Sequence, residues 1–101
     1  MVNTDKNKRF QISITYWFHR SRWEIEYEEL DGNENTFFTE RVYWNWYPTI
    51  KEAVEEYEWK LNLLKDDPCL YAEDSWDVQF VRIRLTDTAY SSVLEEKCFR
   101  L

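Results

Sequence analysis

The chain has 101 residues, 44% of them apolar and 19% aromatic, and its 13 Lys and Arg stand against 20 Asp and Glu for a formal charge of −7. That length corresponds to one domain, and the apolar share is too high for a chain that stays unfolded. A single Gly leaves little for a phosphate-cradling loop, which argues against nucleotide-loop enzymes.

Residues 1–8 read as a flexible polar N-terminus of a single domain spanning 1–101. They hold no apolar core of signal-peptide length, and no later stretch reaches the roughly 18 apolar residues of a membrane span, so a cytoplasmic protein is expected. In such a reducing compartment Cys69 and Cys98 are expected to remain thiols.

Phe10, Ile12, Ile14, Tyr16 and Phe18 alternate with Gln11, Ser13, Thr15, Trp17 and His19, the pattern of a strand with one buried face. Trp23, Ile25 and Tyr27 alternate with Glu24, Glu26 and Glu28, and folding back around Arg20 and Ser21 pairs Phe18 with Trp23, Tyr16 with Ile25 and Ile14 with Tyr27. Asp31-Gly32, followed by Asn33 and Asn35, is the strongest turn signal because these residues tolerate positive φ. A third strand then runs from about Thr36 to Tyr47, its parity sending Phe38, Val42, Trp44 and Trp46 to the buried face and Tyr43 and Tyr47 outward with Trp17.

Pro48 ends that strand, and Thr49-Ile50-Lys51-Glu52 reads as a capping box. Ile50, Ala53, Val54, Tyr57, Leu61 and Leu64 form one helical stripe that Asp66-Asp67-Pro68 stops. From Trp76 to Thr86 the chain is strand-like again, with a phase jump between Phe80 and Val81 that a bulge, or burial on both faces, explains. Tyr90, Val93, Leu94 and Cys98 favour a short terminal helix over a last strand. The expected fold is α+β: an antiparallel sheet of about four strands, comprising a three-stranded N-terminal meander and a later strand. One main helix packs on one face, and a short C-terminal helix or strand follows.

Catalytic chemistry finds little support. His19 is the lone histidine and reads as an exposed turn residue, no Cys or His pair has zinc-ligand spacing, and the loop from Asp31 has Val42 where a calcium hand needs Glu. Glu55-Glu56, Asp66-Asp67 and Glu73-Asp74 read as solvated charge. No enzyme, metal or cofactor is expected.

Charge distribution says more. Residues 1–22 carry Lys6, Lys8, Arg9, Arg20 and Arg22 against Asp5, whereas residues 23–74 hold only Arg41, Lys51, Lys60 and Lys65 against the bulk of the acids. Such a field repels phosphates and attracts a basic partner. Glu24, Glu26 and Glu28 form a carboxylate row with a spacing of about 7 Å on an exposed strand face. On the helix, Trp59 lies opposite Ile50 among Glu52, Glu55 and Glu56, with Leu63 one turn on, as an apolar centre with a charged rim. The alternative is that the C-terminal element covers this pair. Trp17 and Tyr43 lie beside the strand carboxylates.

These features predict a small acidic inhibitor that occupies the phosphate-binding surface of a basic protein, a nuclease or other nucleic-acid-binding enzyme. Its profile of size and charge is similar to that of phage anti-defence proteins such as anti-CRISPRs and of nuclease immunity proteins, an analogy with no motif behind it. No direct nucleic-acid or membrane contact is expected. The alternative is a structural or adaptor subunit whose aromatic surface serves complex assembly, a homodimer included.

Overall fold

The computed structural model describes residues 8–20 and 38–101. They form strand β1 (Phe10–Arg20), strand β2 (Phe38–Tyr47), helix α1 (Ile50–Asp66), strand β3 (Trp76–Asp87) and strand β4 (Ser92–Arg100). The strands make one open antiparallel sheet in the order β2-β1-β3-β4, and α1 packs on one of its faces, an α+β architecture.

β1 is central because its inward row demands it. Ile12, Ile14 and Tyr16 are fully buried and Phe10 and Phe18 nearly so, flanked by β2 on one edge and β3 on the other. Phe18, Tyr16 and Ile14 therefore face Phe38, Glu40 and Tyr43 on β2, and Val78, Val81 and Ile83 on β3. β2 and β3 thus take both edges of β1, and the expectation that Trp23, Ile25 and Tyr27 pair with it falls on residues outside the described ones. Residues 23–28 and the Asp31-Gly32 turn lie outside the described residues, as do residues 1–7.

Two bulges set which side chains face α1. On β3 the ladder against β1 skips Gln79, so Trp76 and Val78 share the inner face with Val81, Ile83 and Leu85, the phase jump anticipated from the sequence. On β2 the ladder skips Val42, which reverses the parity of the residues after it. Tyr43 and Tyr47 consequently pack against the core and Trp44 and Trp46 face outward, the reverse of the expectation. Phe38 and Val42 do pack on the core as expected.

α1 begins as its capping residues dictate: Thr49 Oγ1 accepts from the Glu52 N–H at 3.3 Å. It ends where Asp67 N–H donates to the Leu63 carbonyl at 2.9 Å, just before Pro68. Ala53, Tyr57 and Leu64 are its buried residues, whereas Ile50, assigned to the same stripe, is exposed in the first turn. The loop after α1 is tied to the core by one side chain. Tyr16 Oη donates to the Pro68 carbonyl at 2.6 Å and accepts from the Tyr71 N–H at 3.2 Å. Burial pushes this phenol up to about 12. Trp76 stacks on Phe18 with ring centroids 4.1 Å apart, closing the inner face at the end of β1.

The C-terminal element is strand β4, not the favoured helix. Pairing with β3 satisfies that strand's outer edge, and a ladder irregularity at Leu94 separates Val93 and Leu94, both exposed, so their helix-like spacing reports no buried stripe. The β3–β4 turn holds Ser91 at φ 51°, and it is clamped to the start of β1 by Arg9. Arg9 Nε and Nη2 donate to the two Asp87 carboxylate oxygens at 3.2 and 3.1 Å, and Asp87 Oδ1 also accepts from the Ala89 N–H. The hydrogen bonds with Arg9 hold the Asp87 carboxyl below its ordinary value. Cys69 and Cys98 are both exposed free thiols. His19 is part of β1, opposite Asp77, and not a turn residue.

Candidate protein-interaction surface

α1 has 17 residues and buries only the side toward the sheet, so a polar outer face is left to solvent. Trp59 sits on that outer face, 58% exposed, and none of the described strands or loops closes over it. Glu55 and Glu52 are exposed and Glu56 half-buried on the turns before it, and Leu63 is half-buried one turn later. The helix thus brings together Trp59, Leu63, Glu52, Glu55 and Glu56, an apolar centre flanked by carboxylates.

Lys60 fixes the inner border of this surface. Its Nζ donates to Tyr71 Oη at 3.2 Å and lies 4.2 Å from the Tyr43 ring centroid, 5.4 Å from that of Tyr71 and 5.5 Å from that of Trp59. An ammonium held against aromatic faces is attracted by their quadrupoles, and here it links the exposed indole to rings packed on the core. Tyr43 and Tyr47 are joined by a hydroxyl–hydroxyl hydrogen bond of 2.8 Å, and burial together with that bond raises the Tyr47 phenol above its usual range. Tyr43 is therefore not an outward residue beside strand carboxylates. The bulge at Val42 turns it toward α1, where it supports the Trp59 surface from behind.

The remaining candidates are not brought to this surface. Trp17 is on the opposite face of the sheet, stacked on Phe80 with centroids 4.6 Å apart. Glu24, Glu26 and Glu28 lie outside the described residues. Sequence reasoning missed Lys60 and Tyr71, because a ring-lined lysine requires β2, α1 and the following loop to converge. The available signal was that Lys60 is the residue after Trp59 on a helix whose buried stripe was already assigned. Among the described residues no group of three His, Cys, Asp or Glu side chains is placed to hold a metal ion. Nor, among them, is any helix long and apolar enough to cross a membrane. Comparison with protein families, curated proteins and solved structures returns no match.

Proposed function

We propose that the protein works by binding, without chemistry of its own. In this reading the outer face of α1 docks on the phosphate-binding surface of a basic nucleic-acid-handling protein, a nuclease or related enzyme, and inhibits it by occupying that surface. Phage anti-defence inhibitors and nuclease immunity proteins are the functional class this describes. The observation that carries the reading is Trp59, more than half exposed on a helix where carboxylates precede it and Leu63 follows it. A large aromatic anchor with a charged rim suits a desolvated interface centre, and the carboxylates speed encounter with a basic partner.

The test is capture of partners by tagged protein from cells at low and high salt, compared between wild type and Trp59→Ala. The reading requires a basic nucleic-acid enzyme that is captured by wild type, released by salt and lost with Trp59→Ala, and whose activity falls when the protein is added. Capture that ignores both salt and Trp59 overturns it.

A further inference from the structure

The sheet face turned away from α1 has small side chains along its middle and large ones on both sides. β1 presents Ser13 and Thr15 there. The register sets Trp44 and Arg41 of β2 beside them on one flank, and Arg84 and Arg82 of β3 on the other. A trough therefore runs along β1, with hydroxyls on its floor and arginine and indole walls whose backbones are about 10 Å apart, two strand spacings. Trp17 closes one end, stacked on the Phe80 ring and with the Arg82 guanidinium 4.8 Å from its ring centroid. At the other end Gln11 lies between Trp46 and Thr86.

The described residues of this face carry charge opposite to the net charge of the chain. Arg41, Arg82, Arg84 and Arg100 all point to it, and Lys8 Nζ is 5.9 Å from the Trp46 ring. Among the described residues Glu96 is the carboxylate within the walls, paired with Arg84 at 2.5 Å and 3.7 Å from Arg82 Nε. Asp77 lies beyond Trp17. Among the described residues no carboxylate pairs with Arg41, whose guanidinium sits 4.4 Å from the ring centroid of Trp44, itself 47% exposed. Arg82 Nε is buried and has no hydrogen-bond acceptor among the described residues.

We propose that this trough binds single-stranded nucleic acid, with phosphates held by Arg41, Arg82 and Arg84 and bases laid against Trp44 and Trp46. The occupant follows from charge and shape together. A second copy set face to face sets arginine against arginine, which is repulsive, so the occupant is anionic. An acidic peptide supplies charge but no flat rings for the indoles, and a duplex keeps its base faces stacked inside. An unpaired strand carries both phosphates and open π-faces, and aromatic platforms bordered by cations accept it without regard to sequence. The acidic helix lies on the other side of the sheet, and at physiological ionic strength its field is screened over about 8 Å. The site is separate from the Trp59 surface and stands or falls independently of it.

Fluorescence anisotropy of a fluorescein-labelled oligodeoxythymidine, titrated with the full chain, tests the assignment. Wild type binds with an affinity that falls as salt rises. Trp44→Ala weakens binding about tenfold, within the range for loss of one stacking platform. Arg41→Gln combined with Arg84→Gln flattens the salt dependence, and Trp59→Ala binds as wild type does, which separates this site from the helix surface. Absence of an anisotropy change at low salt overturns the proposal. So does equal binding of the same sequence as a duplex, or equally effective competition by polyglutamate, which assigns the trough to an acidic protein.

Discussion

The two faces of the sheet share one central strand and are built on opposite rules. Inward from β1, Ile12, Ile14 and Tyr16 are fully buried under α1 and meet Val81, Ile83 and Leu85, also fully buried. Outward, the same strand offers Ser13 and Thr15 between arginines and tryptophans that remain in contact with solvent. The inner face obtains stability from close packing, where a missing methylene is felt. The outer face forms few apolar contacts of its own, and its aromatics are paired with cations: Trp17 with Arg82, Trp44 with Arg41, Trp46 with Lys8. Close packing and cation-bordered surface are thereby separated by the pleat of a strand, so that residues one position apart have opposite surroundings.

Substitutions on either side of the pleat can break that separation, and the largest effect is expected inside. Leu64 is completely buried, so Leu64→Ala should lower stability by about 2 to 5 kcal/mol in urea unfolding, while Leu61→Ala, at a half-buried position, should cost less. Equal costs at the two positions dissolve the inner-face packing described here.

Next comes the Tyr16 hydroxyl. Tyr16→Phe leaves the Pro68 carbonyl and the Tyr71 N–H without their partner and should cost about 1 to 3 kcal/mol. The same phenol sets an alkaline limit. Its folded value of about 12 lies above the ordinary 10.0, as does that of Tyr57, so their contribution is intact below pH 10 and is lost as pH climbs through 12. Unfolding free energy measured across that interval should decline in wild type and decline less steeply in Tyr16→Phe; an identical slope removes Tyr16 as a cause.

A smaller gain is expected in the β3–β4 turn. Ser91 adopts a positive φ that glycine takes without steric cost, and Ser91→Gly should raise stability by up to about 1 kcal/mol, read as a shifted urea midpoint. The smallest change in stability belongs to the exposed indoles. Trp59→Ala and Trp44→Ala should each stay within about 0.5 kcal/mol of wild type by the same measurement. A loss of several kcal/mol at either position places that residue among the structural ones and erases the contrast between faces there.

How much of this is legible in the sequence depends on how strongly burial constrains each element. The alternation of Phe10 to Phe18 gives β1 and its inner face, the Thr49 cap and the stripe through Ala53, Tyr57 and Leu64 give α1, and the jump before Val81 gives the bulge in β3. β2 resists because Trp44-Asn45-Trp46-Tyr47 offers apolar side chains in both phases, and the residue skipped by the ladder, Val42, looks like any inward one. β4 is an edge strand exposed along nearly its whole length, so burial imposes no period on it. The neighbour of a strand is likewise invisible from its own pattern, so the alternation in β1 does not reveal that β3 lies along one of its edges. The basic trough escaped for a different reason. Arg41, Arg82 and Arg84 are scattered in a chain whose total charge is negative, although Val81-Arg82-Ile83-Arg84-Leu85 already places two arginines on one face by simple alternation.

The tether from Tyr16 to the loop after α1 has a kinetic corollary. A loop amide that looks outward ordinarily trades its proton with solvent through brief local fluctuations. The Tyr71 amide instead donates to an oxygen that belongs to a fully buried side chain of the central strand. Its deuterium uptake is therefore gated by the opening of β1 itself, and this single connecting-loop proton should exchange on the timescale of the sheet's interior amides, a reporter of global unfolding carried in a loop.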